Sequence, residues 1–376
     1  MEMIISSINE NLGTNSVRCE MSQYIADRFA SQKYRFNSDF VRTPSAAILF
    51  FYYLSDVLAT DKYEQYTREL LVDTFRILLK TKKGVNESIV SGNAWIFSHL
   101  VDKDMININL DNNLADIDLL ICNDVQTKFS NNLVHGGLLS KASYLTDRLR
   151  NTACNINKHK IAESLAYVVE EIDYRLTLKD KHNITVAHLE ELQRIFFYMN
   201  KLYPEKIYRV KQESIFSSVV PKVLTSFNSL IRGDISYFNL LEDMALTLGI
   251  YNSLLRFAGN KMLSEDVPDL SGYIKNINLD IIKSETIKKP YAAIKCMKLL
   301  LNIRPLYKEL YEYNTLLHRL YDALSLFSLS RQPGHFSSNI GFPNIGFSGA
   351  IGIGLALLEF ESNKKIDWED VFMLYS

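Results

Sequence analysis

Residues 43–75 read TPSAAILFFYYLSDVLATDKYEQYTRELLVDTF, and the stretch holds two helices of different character. Ala46 to Leu54 carries no charge, so a helix there is apolar on every side and belongs where no side meets water. After Thr60 and Asp61 the apolar residues thin to Tyr63, Tyr66, Leu70, Phe75 and, just beyond, Leu78. Steps near three and four place them on one stripe, so the second helix has one buried face and one wet face.

The unit recurs along the chain. A small-residue start followed by an apolar run appears at Ser91-Gly92-Asn93-Ala94-Trp95 and at His135-Gly136-Gly137-Leu138-Leu139. Weaker copies begin near Pro221 and at Pro290-Tyr291-Ala292-Ala293, and the last runs from Gly346 to Leu355. Amphipathic helices lie between several of them. Ile161, Leu165, Val168, Val169, Ile172 and Leu176 make one apolar face, with Glu163, Glu170, Glu171 and Asp173 on the other. Leu189, Leu192, Phe196 and Met199 repeat the pattern, with Thr185 as the cap before them. Ile303 to Phe327 reads as one further long helix with Pro305 in its first turn. Met105 to Leu110 alternates like a strand but reads as a loop between helices. The alternation predicts a closed ring of helical hairpins, with inner helices over Ala46–Leu54, Trp95–His99, Leu138–Leu145 and Ile351–Leu358. A non-repetitive helical bundle is the alternative.

Composition bounds the function. The 376 residues are 47% hydrophobic and carry 42 basic against 43 acidic side chains, so no basic excess points to nucleic acid. The start, MEMIISSINENLG, lacks the charge and apolar core of a signal peptide, and the longest apolar run is too short for a membrane span. A cytoplasmic protein is expected, with Cys19, Cys122, Cys154 and Cys296 as scattered free thiols. Loops fall at 80–86, 179–183, 259–272 and 331–346, none of them a long linker, so residues 1–376 read as one domain.

The ordered helix starts resemble those of lanthionine synthetase C-like (LanC-like) proteins. SGNAWIFSHLVDKDMININLDNNLADIDLLI is similar to an early inner–outer pair of that family, TPSAAILFF and its sequel to the pair before it, and HGGLLSKASYLTDRL to a third. GFSGAIGIGLALLEFESNKKIDWEDVFML is similar to the C-terminal signature, with Trp368 in its tail. The resemblance covers nearly the whole chain and implies an all-α fold, the α/α toroid, a double ring of inner and outer helices. Active family members close thioether rings in ribosomally made peptides, using zinc held by two cysteines and a histidine to generate the attacking thiolate. This chain departs from that pattern. It has no Cys-His dipeptide, and neither Trp95 nor Trp368 is followed by cysteine. The matching regions offer only Cys296, inside its helix, and His318 in LLHRLYDAL.

The resemblance therefore implies a divergent member without a cofactor, whose partner is a precursor peptide or a peptide-modifying enzyme. Two alternatives stand beside it. One is a thioether-forming cyclase with relocated zinc ligands, for which Cys296, His318 and His335 are the available set. The other is a carbohydrate-active toroid hydrolase using carboxylates such as Asp56 or Asp147.

Candidate binding residues follow. Trp95 and Phe50-Phe51-Tyr52-Tyr53 either line a peptide cavity or fill the core. His135 precedes two glycines at a helix start, where backbone N–H groups suit an anion or a close-packed turn. In the loop 331–346, Arg331 and His335 are candidates to hold a peptide carboxylate or carbonyl, and Phe336, Phe342 and Phe347 an apolar side chain. The pairs Glu170-Glu171 and Glu190-Glu191 read as solvated, since adjacent residues do not share a helix face. No phosphate-binding GxxxxGK[ST] loop and no GxSxG nucleophile elbow occurs.

Overall fold

The computed structural model describes residues 19–31, 43–80, 87–127, 137–179, 186–233, 239–259, 267–330 and 349–368. Among them no strand occurs, and the fold class is all-α as expected. The helices are α1 (Glu20–Ser31), α2 (Thr43–Leu58), α3 (Glu64–Lys80), α4 (Glu87–Asp102), α5 (Leu110–Thr127), α6 (Leu138–Asn151), α7 (Asn155–Lys179) and α8 (Val186–Leu202). They continue as α9 (Arg209–Arg232), α10 (Leu240–Gly259), α11 (Ser271–Lys275), α12 (Ile282–Lys288), α13 (Pro290–Tyr307), α14 (Tyr311–Ser330) and α15 (Ala350–Ser362).

Burial sorts them into two kinds. In α4 every residue from Val90 to Ser98 is buried, in α10 every residue from Met244 to Leu254, and in α15 every residue from Ala350 to Glu359. In α3, α7 and α9 buried and exposed positions alternate by helical turn: Ile161, Leu165, Val168, Val169 and Ile172 are buried, while Glu163 and Glu170 are exposed. The more deeply buried helices contact one another in order: α2 on α4, α4 on α6, α6 on α8, α8 on α10, α10 on α13, α13 on α15. The series returns on itself, because α15 packs on α2. This is the connectivity that a ring of inner helices requires. The stretches expected to be inner, Ala46–Leu54, Trp95–His99, Leu138–Leu145 and Ile351–Leu358, fall in α2, α4, α6 and α15. The half-exposed helices cover them, α3 on α2, α5 and α7 on α6, and α14 on α13 and α15.

Small residues let the α15–α2 seam close. A methyl group on Gly354 would come within 2.8 Å of the Phe50 ring, so only glycine fits there without repacking. Buried polar groups then tie the layers. Lys298 of α13 donates to both carboxylate oxygens of Glu359 on α15, each at 2.9 Å, and to the Ile366 carbonyl at 2.6 Å. Trp368 donates its Nε1 proton to Glu359 at 2.9 Å, which latches the chain after α15 against the core. Glu361 accepts from the Met21 and Ser22 amides at the start of α1, at 3.0 and 3.3 Å. There the carboxylate meets a helix N-terminus, where negative charge is favoured.

Two expectations are corrected. Pro221 does not begin an inner helix: it lies inside α9, which is amphipathic, and the inner helix follows as α10. The helix survives because Pro221 and Ser217 are exposed, so the unbonded carbonyl faces water, while Phe216, Val219, Val223 and Phe227 bury the opposite face. Residues 303–327 do not form one helix. α13 runs on through Pro305 to Tyr307 and α14 starts at Tyr311, with the Tyr313 hydroxyl donating to the Leu300 carbonyl at 2.7 Å near the break. Residues 106–109 are a connection between α4 and α5, as expected. Thr185 and the whole loop 331–346 lie outside the described residues.

Candidate functional site

Polar and charged residues gather at the C-terminal ends of four of the buried helices. Ser98, His99 and Asp102 end α4, Asp147, Arg150 and Asn151 end α6, Asn200 and Lys201 end α8, and Arg256 lies near the end of α10. These helices are successive neighbours, so their C-terminal ends meet and bound a cleft of about 290 Å³ that Lys103, Pro204 and Asp367 complete. Basic residues at helix C-termini offset the partial negative charge of the unpaired carbonyls. Aspartates there have no such local reason, which marks Asp102 and Asp147 as residues to explain.

Asp147 is the hub. Trp95 donates its indole N–H to Asp147 Oδ2 at 2.8 Å, and Lys201 donates to the same oxygen at 2.7 Å and to Ser143 Oγ at 2.9 Å. Arg150 stands 3.5 Å from the other oxygen, donates to Glu205 at 2.5 Å and caps the Lys201 carbonyl at 2.7 Å. Trp95 is almost fully buried, yet it stacks on His99 with centroids 4.7 Å apart and planes 28° apart. His99 Nε2 lies 2.7 Å from the Tyr53 hydroxyl. One continuous path thus runs from α2 through α4 and α6 to α8.

On the far side Lys103 donates to Asp367 at 2.7 Å. Burial works against the charge of Asp367, but the Lys103 hydrogen bond and positive charge outweigh it and hold the carboxyl below its usual range. Burial pushes the Tyr53 hydroxyl well up, and Asp367 and Glu359 add to the shift, so Tyr53 stays a neutral donor and acceptor. The cleft therefore offers fixed donors, fixed acceptors and both signs of charge. Lys201 is held in place by its ion pair with Asp147 and its hydrogen bond to Ser143.

The residues expected from sequence divide in three. Trp95 and Asp147 meet at the site, while Phe50 and Phe51 belong to the core, both at 0% exposure, and Asp56 is exposed on α2. The relocated zinc set is not brought together by Cys296 and His318. The Cys296 thiol is buried, raised in pKa by that burial, and donates to the Leu241 carbonyl at 3.2 Å. His318 is exposed on α14, with Nδ1 2.7 Å from the Asn314 carbonyl of its own helix. Among the described residues no three His, Cys, Asp or Glu side chains form a metal-holding group. His135, Arg331, His335, Phe336, Phe342 and Phe347 lie outside the described residues. Tyr53, one of the four aromatic residues offered as cavity lining, hydrogen-bonds His99 beside the cleft, whereas sequence reasoning passed over His99, Arg150 and Lys201. The available signal was positional: each inner helix turns polar at its end, and His99 follows Trp95 by four residues.

No helix among the described residues is long and apolar enough to cross a membrane. No family model matches the chain, and no curated protein or solved structure matches it either.

Proposed function

We propose that this chain binds a polypeptide segment, from a precursor peptide or from a peptide-modifying enzyme, in the cleft where α4, α6, α8 and α10 end. The observation that carries the reading is the cleft itself: donors, acceptors and both charges are fixed on four rigid helices around the Trp95–Asp147–Lys201 contact. An extended peptide presents N–H and C=O groups in alternation, and a mixed polar wall suits both. The LanC-like resemblance points to the same class of partner, and the ring-like order of inner helices is in keeping with it. Metal-assisted thioether formation is the less favoured reading, because Cys296 is committed to the Leu241 carbonyl and stands away from solvent. For the carbohydrate reading, both oxygens of Asp147 already face protein cations or donors, and Asp56 is not part of the cleft.

The test uses the full chain and an array of synthetic dodecapeptides, with the best binder titrated by the fluorescence of Trp95. Maltoheptaose serves as the comparator. Saturable peptide binding that weakens about tenfold in Lys201→Met, with helicity unchanged, is the expected result. Oligosaccharide binding with no peptide binding would replace this reading by the hydrolase one, and binding of neither would end both.

A further inference from the structure

Of the two aspartates at helix ends in the cleft, Asp147 is accounted for by its partners and Asp102 is not. Asp102 closes α4, where the last unpaired carbonyls already make a negative pole, so a carboxylate there works against the fold. It is exposed, it lines the cleft, and among the described residues it has no hydrogen bond and no ion pair. The ends of α6, α8 and α10 bring further negative poles to the same place. The cations that offset them are engaged: Lys103 with Asp367 at 2.7 Å, Lys201 with Asp147 at 2.7 Å and Arg150 with Glu205 at 2.5 Å. Arg256 lies over the Phe197 ring at 4.9 Å.

Two asparagines of the cleft add acceptors. Asn151 donates its Nδ2 to Ser98 Oγ at 3.3 Å, and Asn200 donates its own to the Ser253 carbonyl at 3.1 Å. Each bond settles which end of the amide is nitrogen and leaves the oxygen on the other side. Neither oxygen has a partner among the described residues. Asn200 is 5% exposed, so its oxygen cannot turn to bulk water, and an enclosed acceptor without a donor is costly. Ser98 and Asp102 are four residues apart on α4, which sets Asp102 one turn beyond the Ser98–Asn151 bond on the same face. We infer that the cleft takes a cationic donor, an ammonium group of its ligand, at Asp102 and the oxygens of Asn151 and Asn200; in naming that ligand a peptide the inference rests on the reading above. An ammonium brings three N–H donors and a positive charge, so it answers the carboxylate, the amide oxygens and the helix poles together. A carboxylate in the same place answers none of them.

The test is calorimetric titration of the full chain with four alanine-based pentapeptides and with n-butylammonium. Three peptides are blocked at both ends and carry a central lysine, glutamine or glutamate; the fourth has a free amino terminus and an amidated end. The lysine or the free-amino peptide is expected to bind about tenfold more tightly than the glutamine one, with the glutamate peptide weakest. Preference for lysine alone identifies a side-chain ammonium, and for the free-amino peptide alone an N-terminus. In Asp102→Asn the preference should vanish while the melting temperature holds or rises, because the carboxylate opposes the pole of α4. Asp116→Asn, the same charge change on the exposed side of α5, should alter neither. Equal binding of the lysine, free-amino and glutamine peptides overturns the proposal and leaves the peptide reading standing. Butylammonium bound through Asp102 with no peptide bound ends the peptide reading and keeps the cation site, and binding of no probe ends both. A preference that Asp102→Asn retains, or a lowered melting temperature in that variant, also overturns the proposal.

Discussion

Asp147 and Arg148 are consecutive on α6 and lead opposite lives. Arg148 points outward to α5 and is fully buried: it donates to Asp118 three times, at 2.9–3.1 Å, and to Asp111 at 3.0 Å. Tyr144 donates to Asp118 at 2.5 Å and closes the cluster. Asp147 points the other way, keeps 17% side-chain exposure, and shares its partners with a cleft. The same residue chemistry thus makes a staple on one side of the helix and a binding surface on the other. What separates them is enclosure. Arg148 is surrounded by groups of its own chain, so its free energy goes into holding α6 on α5.

Breaking the enclosed side should have the largest effect. Arg148→Met leaves Asp118 buried without its cation, and a loss of about 3–5 kcal/mol is expected in urea unfolding. Replacing both partners, Arg148→Met with Asp118→Leu, should recover much of that loss, because no buried charge then stands alone. A double mutant as unstable as the single one would show that shape, rather than charge, holds this contact.

Acid probes the rim of the same cluster. Asp111 accepts from the Thr152 hydroxyl at 2.5 Å and from the Ala153 and Cys154 amides at 2.8 and 3.2 Å, ahead of α7. Burial acts to raise its pKa, but these bonds and Arg148 outweigh it, so the carboxyl sits below its ordinary value of 3.8. A depressed folded value means that the stabilisation is complete above 3.8 and is lost as pH falls through the folded value. Asp111→Asn should therefore lower stability at neutral pH and flatten the acid limb of the stability curve. An unchanged limb would remove Asp111 from this role.

On the open side the effects on stability shrink and those on binding grow. Asp147→Asn is expected to cost about 1 kcal/mol of stability, while peptide affinity falls about tenfold through the disturbed Trp95 and Lys201. Arg150→Ala should be the smallest, less than about 1 kcal/mol and diminished by salt, since Arg150 is 38% exposed. Equal losses from Asp147→Asn and Arg148→Met would erase the contrast between the two faces.

The inner helices were legible where apolar residues fill all sides, as at Ala46–Leu54 and Ile351–Leu358, because total burial needs no knowledge of partners. α10 escaped notice since Glu242, Asp243 and Arg256 flank its buried middle, and Pro221 upstream carried a break signal that an exposed outer face absorbs. The site was legible only in part. Trp95 stands out as one of two tryptophans and Asp147 entered only as a carboxylate of the hydrolase alternative, while Lys201 is an ordinary helix-end charge in sequence. They acquire a role because α6 and α8 pack against each other, and that adjacency is a property of packing.

The seam beside Gly354 bears on how the chain is made. Ser22 donates to the Gly354 carbonyl at 3.5 Å across 332 positions of sequence. A ribosome adding about 5–20 residues per second needs on the order of 20–60 s to span such a gap. Throughout that interval Phe50 and its neighbours on α2 await a partner not yet synthesised. The nascent chain therefore carries an unsealed apolar edge for most of its time on the ribosome. A chaperone holding that edge would act on the first helices of the chain, long before the cleft between α4 and α10 has anything to bind.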